Sequence, residues 1–294
     1  MKLTKDMHIL IVGLGLLGGS YAEGLTAQGY RVDAITRSQR SADYAMQKGI
    51  VRTVANRVEP ELVGAADLVV LALYPHVLLE WLEQYQALLK PGAILTDVTG
   101  VKGCIVGRVQ ELLRPDVEFI AAHPMAGREV CGVENSTAAM FAGANYIVVP
   151  TEKNTPGAIE LCRNLGEVLG FARVSELSAE KHDEMIAFTS QLAHVVSNAY
   201  VKSPSLFNAD GFSAGSFMDL TRVAKLNEYM WSSLFLCNKE ALLFELNTII
   251  DNLCKYRDAI NDDDIDTLRD ILRDGRERKE KSNELYAEHA RRKV

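Results

Sequence analysis

The sequence predicts an α/β fold in which a doubly wound, mostly parallel sheet is followed by an all-helical domain. Three observations predict this fold. Short β-rich runs alternate with helical patterns up to about residue 175, a glycine-rich turn follows the first run, and strand signals vanish after Ser178. The predicted domains are therefore residues 1–175 and residues 176–294.

The predicted strands are short runs of apolar and β-branched residues, at residues 8–12, 31–36, 67–73, 93–97, 118–122, 146–149 and 172–174. Helical periodicity occupies several of the intervening segments, at residues 16–28, 76–89, 102–112 and 156–169. Strands that alternate with helices in this way form βαβ units. We therefore expect a parallel sheet that is covered by helices on both faces.

Helical periodicity alone continues after Ser178, which is a favourable N-cap residue. Apolar residues then recur every three or four positions and predict one stripe along a long helix, at Met185, Phe188, Leu192, Val195 and Ala199. Residues 230–253 are apolar on nearly every face, which a helix tolerates only when it is surrounded. A single helical layer cannot surround it, so we expect a homodimer that forms through the helical domain.

The composition is that of a globular protein, with 48% apolar and 24% charged residues. Its 32 Lys and Arg residues against 39 Asp and Glu residues give a net charge of -7, which provides no broad positive field for nucleic acid. The cysteines are scattered and form no C-x-x-C pair, which favours reduced thiols and no metal site. With no signal-peptide pattern and no apolar run of the ~20 residues that span a bilayer, we expect a cytoplasmic protein with no membrane partner.

A Gly-x-Gly-x-x-Gly segment lies directly after the first predicted strand and opens a helix. It consists of Gly13, Gly15 and Gly18, with Leu16 and Leu17 between the last two glycines. In this context the first Gly permits a tight turn, the second lets a pyrophosphate approach the backbone, and the third allows close helix packing. The segment predicts a Rossmann-like dinucleotide-binding domain.

The end of the second predicted strand favours NADP over NAD. An acidic residue about 20 residues after the glycines normally binds the adenosine ribose hydroxyls. Asp33 falls too early, inside the strand, and the strand ends at Thr36, Arg37 and Ser38. Two hydroxyls around a permanently charged guanidinium suit a 2′-phosphate better than a ribose diol.

His123 is a candidate general base. It follows the predicted strand 118–122, at the carboxyl end where ligands bind in open α/β sheets, and the Pro and Gly after it predict a turn. A neutral imidazole can accept a hydroxyl proton while a hydride leaves the same carbon. On the residues alone, a purely structural histidine is equally open.

Several spaced segments together resemble the prephenate and arogenate dehydrogenase family of tyrosine biosynthesis. They follow one another over nearly the whole chain, as residues 13–20 (GLGLLGGS), 97–102 (DVTGVK), 123–129 (HPMAGRE), 190–194 (SQLAH), 219–224 (DLTRVA), 230–231 (MW) and 238–239 (NK). Any one segment can arise by chance, whereas the ordered set is specific to the family.

The resemblance implies oxidative decarboxylation of a cyclohexadiene that carries a ring hydroxyl, with hydride transfer to a nicotinamide. The substrate is then prephenate, giving 4-hydroxyphenylpyruvate, or arogenate, giving tyrosine. His123 would polarise or deprotonate the ring hydroxyl, and Arg222 would bind a substrate carboxylate. The resemblance also implies that His194 forms a hydrogen bond with the substrate. Glu129 and Asp219 resemble acidic residues of the family that pair with the arginine that binds the substrate.

Two departures from the family leave the substrate preference open. Gly100 stands where the family often has a Ser that contacts the substrate hydroxyl, and the adjacent Thr99 is a candidate to supply that hydroxyl. Met218 stands where many relatives have a basic residue, so one substrate cation is missing. Arg128, in the predicted turn after His123, could supply it.

Two other functions account for part of the sequence. A hydroxyacid or imine oxidoreductase with the same two-domain plan explains the glycine turn and the helical half, but not residues 123–127 together with Arg222. A non-catalytic NADP sensor predicts cofactor binding without turnover. Both are distinguished from the family's activity by measuring nicotinamide reduction with prephenate and with arogenate, each combined with NAD and NADP.

Overall fold

The structure is a computed structural model that describes residues 1–291, with side chains described for residues 1–288. It forms two compact units, one from Met1 to Ala241 and one from Leu242 onward. In the described residues, no helix combines the length and apolar character that crossing a membrane requires.

The first unit is built on a six-stranded parallel sheet. Its strands are β1 (His8–Val12), β2 (Arg31–Ile35), β3 (Thr53–Ala55), β4 (Leu68–Leu71), β5 (Ile94–Asp97) and β6 (Glu118–Phe119). Their spatial order is β3-β2-β1-β4-β5-β6, so the chain reverses direction across the sheet between β1 and β4. Ligands bind at such a switch point in open α/β sheets.

The sheet is covered on both faces, because successive side chains of β1 are buried in two different cores. Ile9 and Ile11 belong to one apolar core, whereas Leu10 and Val12 belong to a second core on the other side. Side chains of a strand alternate between the two faces, so two cores require helices on both sides. The predicted doubly wound α/β class is confirmed.

Six helices accompany these strands: α1 (Leu16–Ala27), α2 (Gln39–Lys48), α3 (Pro60–Ala65), α4 (Pro75–Tyr85), α5 (Val106–Leu112) and α6 (Pro156–Val168). The sequence patterns above do not include β3, α2 and α3. β3 has only three residues, and the buried face of α2 (QRSADYAMQK) consists of two small residues, Ala42 and Ala45, in a mostly polar segment.

A second, three-stranded sheet follows, made of β7 (Ala121–Met125), β8 (Asn145–Val149) and β9 (Arg173–Glu176). β7 pairs antiparallel with β8, and β8 pairs parallel with β9. The single strand predicted over 118–122 was wrong, because β6 ends at Phe119 and β7 enters the second sheet.

His123 therefore lies inside β7, opposite Ile147, and does not begin a turn as predicted. Pro124, which lacks an N–H, is tolerated next to it because β7 is the edge strand of its sheet.

Among the described residues after Glu176, every regular element is helical, and the α-helices are α7 (Ala179–Ile186), α8 (Leu192–Tyr200), α9 (Gly215–Thr221), α10 (Glu228–Cys237), α11 (Lys239–Asn261) and α12 (Ile265–Arg291). A π-helical turn, Ala187–Gln191, joins α7 to α8. Because a π turn shifts the helix register, the predicted apolar stripe is divided: Leu192 is buried, whereas Phe188 is 57% exposed.

The apolar stretch 230–253 forms two helices instead of one. The break is at Asn238, whose side chain is buried and donates to Asp183 O and Gln191 Oε1, both at 2.8 Å. A buried amide needs such partners, and this requirement fixes the end of α10.

Candidate active site

The glycine turn packs β1 tightly against its neighbours. Gly13 has φ +100, and a Cβ there would lie 2.4 Å from Ala72 O. A Cβ at Gly18 would lie 1.9 Å from Gly13 O. Only glycine therefore fits at either position, as the sequence pattern predicts.

The N-terminus of α1 offers backbone N–H groups to an anion. Gly15 is the N-cap and is exposed, and no side chain caps the helix. Within the described part of the chain, a Cβ at Gly15 would meet no heavy atom within 4 Å, so the space above the first helical turn is open. Together with the first helical residues, Leu16 and Leu17, this arrangement fits the pyrophosphate of a dinucleotide.

The end of β2 carries the residues predicted to bind the adenosine ribose. Asp33 is buried and forms an ion pair with Arg52, with Nη2 and Oδ2 2.6 Å apart. Thr36 is also buried, and its N–H donates to Ala55 O. Arg37 and Ser38 lie at the surface, and the Ser38 hydroxyl caps α2 by accepting from Ser41 N.

Arg40 is a second cation near this end of the sheet. Its guanidinium pairs with Glu134 at 3.0 Å, across 94 residues of sequence. Glu134 belongs to a short 3-10 turn, Val133–Asn135, in the connection between β7 and β8.

His123 is held by a chain of hydrogen bonds that the sequence analysis missed. Its Nδ1 lies 2.8 Å from His182 Nε2, and His182 Nδ1 lies 2.7 Å from Asp183 Oδ1. A carboxylate only accepts, so His182 donates from Nδ1 and accepts at Nε2 from His123 Nδ1–H. His123 Nε2 is then left with a free lone pair.

Both imidazoles are held in the neutral form. Burial lowers the pKa of His123 well below its usual range, and the neighbouring His182 and Lys102 lower it further. Burial likewise lowers the pKa of His182, although its hydrogen bond to Asp183 opposes that effect. A neutral His123 can accept a proton near neutral pH.

Asp97 and Lys102 form a completely buried salt bridge beside His123, with Nζ and Oδ2 2.6 Å apart. Thr99 is 4% exposed and its hydroxyl lies between them, in hydrogen bonds with Asp97 and Val101 O. We expected Thr99 to offer its hydroxyl to the substrate, but this hydroxyl points into the protein interior. The backbone bends inward here because Thr99 N also donates to Asp97 Oδ2 at 2.9 Å.

Gly100 lies directly in front of His123. A Cβ at this position would be 3.9 Å from both Nε2 and Cε1 of His123, and equally far from Leu234 Cδ2. Gly100 therefore lies close to the edge of the His123 ring that carries the free Nε2, and Leu234 of α10 lies close to the same position. Gly100, one of the predicted substrate-binding positions, is thus a neighbour of His123.

Arg222 and Glu129 are brought together from distant parts of the sequence. Arg222, the C-cap of α9, places Nη1 2.9 Å from Glu129 Oε1, and its side chain is 68% exposed. Asp219 lies one turn earlier on α9 and is exposed, and Arg128 is exposed next to Glu129. Of these charges, the guanidiniums of Arg222 and Arg128 can bind a carboxylate, whereas Glu129 and Asp219 can bind a cationic group.

His194 stacks against α10. Its ring centroid lies 4.0 Å from that of Trp231, and its Nδ1 donates to Ser190 O at 2.8 Å. Gln191, in the π turn just before α8, donates to Leu234 O at 3.0 Å. α10 thus connects His194, through Trp231 and Leu234, with the space between Gly100 and His123.

Comparison with known proteins identifies the family. The model of the prephenate dehydrogenase nucleotide-binding domain matches residues 21–175, and that of the prephenate dehydrogenase dimerization domain matches residues 178–274. The chain belongs to the prephenate dehydrogenase family. The family predicted from the ordered segments is thereby confirmed.

Relatives of this family cover nearly the whole chain. A cyclohexadienyl dehydrogenase of Zymomonas mobilis is 30% identical over 90% of this chain and 92% of its own length. A prephenate dehydrogenase from A. aeolicus, in complex with hydroxyphenyl propionate and NAD+, has a TM-score of 0.85 and 27% identity, over 95% of this chain and 99% of its own. Synechocystis arogenate dehydrogenase has a TM-score of 0.79 and 27% identity, over 94% of this chain and 100% of its own.

Proposed function

We propose that the chain catalyses the oxidative decarboxylation of prephenate to 4-hydroxyphenylpyruvate in tyrosine biosynthesis. Its membership in the prephenate dehydrogenase family supports this activity. The observation that carries the proposal is the free Nε2 of His123, which faces Gly100 while His182 holds Nδ1. A bound nicotinamide ring supplies the hydride acceptor.

His123 is the base of this reaction. Its Nε2 accepts the proton of the ring hydroxyl as a hydride leaves the carbon that bears that hydroxyl. The bond between the ring and the carbon of the ring carboxylate then breaks. The carboxylate leaves as carbon dioxide, and the two electrons of that bond stay with the ring and make it aromatic. The proton returns from His123 to the phenol oxygen, so atoms and charge balance.

Arg222 binds a carboxylate of the substrate. Its guanidinium is exposed and already pairs with a carboxylate, that of Glu129. A substrate carboxylate can take the place of Glu129 in the same geometry, because a guanidinium binds carboxylates bidentately. Asp219 and Arg128 contribute one negative and one positive charge near this site. Arg128 supplies the positive charge that many relatives have at the position of Met218.

His194 contributes a hydrogen bond to the substrate. Since its Nδ1 donates to Ser190 O, its Nε2 carries a lone pair and accepts from a substrate hydroxyl or amino group. Stacking on Trp231 fixes the plane of the ring. Thr99 acts indirectly in this scheme, by holding Asp97 and Lys102.

The cofactor is proposed to be NADP in preference to NAD. Asp33 is committed to Arg52 and is not free to bind a ribose diol. Arg37 and Ser38 are exposed at the end of β2 and can bind a 2′-phosphate. Gly13, Gly15 and Gly18 leave the N-terminus of α1 open for the pyrophosphate.

Arogenate is the alternative substrate. It carries an amino group where prephenate carries a keto group, and the carboxylates of Glu129 and Asp219 could bind that amino group. The likeness to the Synechocystis arogenate dehydrogenase supports this second candidate.

The active form is proposed to be a homodimer that forms through the helical domain. The matched family model describes a dimerization domain over residues 178–274. Several large apolar side chains of these helices are exposed in a single chain: Phe188, Tyr229, Leu236, Phe244, Leu253 and Ile260. Exposed apolar surface of this extent is typical of a subunit interface.

The decisive experiment measures initial rates of nicotinamide reduction with prephenate and arogenate, each combined with NAD and NADP. We expect the highest kcat/KM with prephenate and NADP. Arogenate as the better substrate would favour the alternative, and no reduction in any of the four mixtures would exclude the activity.

A further inference from the structure

The buried salt bridge between Asp97 and Lys102 has no assigned role. Neither side chain has any exposed surface. Removing two charges from water is costly, and their attraction often does no more than offset that cost. Stability alone therefore does not explain why an ion pair stands at this buried position.

The pair holds the backbone next to His123. Lys102 Nζ donates to Ala122 O at 2.6 Å, and Ala122 N donates to Asp97 Oδ1 at 3.0 Å. Charged partners therefore fix both the N–H and the C=O of Ala122, the residue that directly precedes His123. Hydrogen bonds to ionised groups are stronger than neutral ones.

The same segment holds the far end of the histidine chain. The backbone N–H of Lys102 donates to Asp183 Oδ1 at 2.9 Å, and that of Gly103 donates to Oδ2 at 2.7 Å. Asp183 orients His182, which in turn holds the His123 ring. Lys102 therefore reaches His123 by two routes, one through Ala122 and one through Asp183.

The Lys102 ammonium also acts on the imidazoles through space. It adds to the effect of burial in lowering the pKa of both His123 and His182. The negative charge of Asp183 acts in the opposite sense on His182. The titratable groups that face Lys102 are Asp97 of β5, His123 of β7, His182 and Asp183 of α7, and Cys162 of α6.

We propose that Lys102, paired with Asp97, is a positioning residue that fixes His123 and keeps its Nε2 free to take the substrate proton. This role rests on the proposed function, because it concerns the base of that reaction. Lys102 does not itself reach the substrate, since its side chain is enclosed by Asp97, Thr99 and Ala122.

The test replaces Lys102 in the full-length protein. Lys102→Met keeps much of the aliphatic stem and removes the charge, whereas Lys102→Arg keeps the charge. Two readouts are compared with the wild type: the NMR titration of the His123 ring, which needs no substrate, and kcat for dehydrogenation. Lys90→Met is the matched control, because Lys90 also pairs with an aspartate, Asp67, but is partly exposed.

We expect His123 in Lys102→Met to titrate at a higher pH than in the wild type, because a nearby positive charge is gone. The displaced imidazole should lower kcat by about 10- to 100-fold. In Lys102→Arg, His123 should titrate close to the wild-type pH, and Lys90→Met should match the wild type in both readouts. Either an unmoved titration or a wild-type kcat in folded Lys102→Met overturns the proposal.

If Lys102→Met does not fold, the double variant Asp97→Asn/Lys102→Met decides, because it leaves no unpaired buried charge. The same loss of kcat supports the proposal, and a wild-type kcat overturns it. Absence of turnover in the wild type would contradict the proposed function instead, while the NMR titration would still test the role of Lys102.

Discussion

His123 Nδ1 lies 2.8 Å from His182 Nε2, although 59 residues separate the two histidines in the chain. Asp183 determines which nitrogen of His182 donates, and His182 then determines which nitrogen of His123 is free. The free nitrogen faces Gly100. The structure thus gives the proposed base one orientation and one tautomer.

Loss of the base should abolish most of the activity. We expect His123→Asn to lower kcat by about 10²- to 10⁴-fold, because no group remains to accept the proton. Steady-state kinetics measure this effect. His8→Asn, at the opposite end of β1 from the glycine turn, is the control and should retain wild-type kcat. An unchanged kcat in His123→Asn would remove His123 from the mechanism.

Loss of the residue that orients the base should have a smaller effect. His182→Phe keeps an aromatic ring but cannot accept from His123, so the imidazole is free to rotate away. We expect kcat to fall by about 10- to 100-fold with little change in KM. A rise in KM with normal kcat would mean that His182 acts on substrate binding instead.

The pH dependence follows from the lowered pKa of His123. The base works only when deprotonated, so kcat/KM falls as the pH drops through that pKa. Because burial, His182 and Lys102 all lower it, the acidic limb should lie below the ordinary histidine pKa of ~6.5. Initial rates over a pH series at constant ionic strength measure the limb. A midpoint above ~6.5 would contradict a neutral, half-buried His123.

The space in front of His123 can be probed at Gly100. A Cβ there makes only ordinary contacts, so Gly100→Ala should fold normally, with stability unchanged or raised by up to about 1 kcal/mol. Gly100→Ile places a branched side chain against Nε2 and should lower kcat/KM by about 100-fold through displacement of the substrate. Thermal unfolding and kinetics distinguish the two effects. Wild-type kinetics in a folded Gly100→Ile variant would show that the substrate lies elsewhere.

The pairing of Arg222 with Glu129 predicts opposite effects on KM. Arg222→Ala removes a charged hydrogen-bond donor and should raise the KM for substrate by about 10- to 100-fold. Glu129→Gln frees Arg222 and should lower KM by at most about fivefold, because exposed ion pairs contribute little. A normal KM in Arg222→Ala would argue against a carboxylate site on α9.

Cofactor preference can be tested at the end of β2. Thr36→Asp with Arg37→Ile removes the proposed phosphate ligand and adds a carboxylate for the ribose. The KM for NADP should rise by about 10- to 100-fold, while the KM for NAD should fall or stay constant. Arg31→Ile, at the other end of the strand, is the control. Unchanged values for both cofactors would place the 2′-phosphate site elsewhere.

Local patterns in the sequence predicted the sheet and the glycine turn. β1 and α1 lie where apolar periodicity and the Gly13–Gly18 spacing place them, because these features depend on neighbouring residues alone. His123 was singled out by its place at the end of a predicted strand, whereas Gly100, Glu129 and Arg222 were singled out only through the family's ordered segments. The structure then brought Glu129 and Arg222 into contact.

The histidine chain could not be predicted because it depends on tertiary packing. His182 and Asp183 lie in an ordinary amphipathic helix start after Ser178, and only contact with residues 102–103 and 123 gives them a role. Thr99 was expected to face the substrate, but the choice between facing outward and binding Asp97 depends on a buried charge. A polar residue, Asn238, ended a helix that apolar periodicity alone would continue.

The most direct test of the account is the product stoichiometry of wild-type protein given prephenate and NADP. We predict equal amounts of reduced cofactor, carbon dioxide and 4-hydroxyphenylpyruvate, formed at a rate that His123→Asn abolishes almost completely. Reduced cofactor without carbon dioxide, or no reduced cofactor with prephenate or arogenate and either nicotinamide, would contradict the central claim.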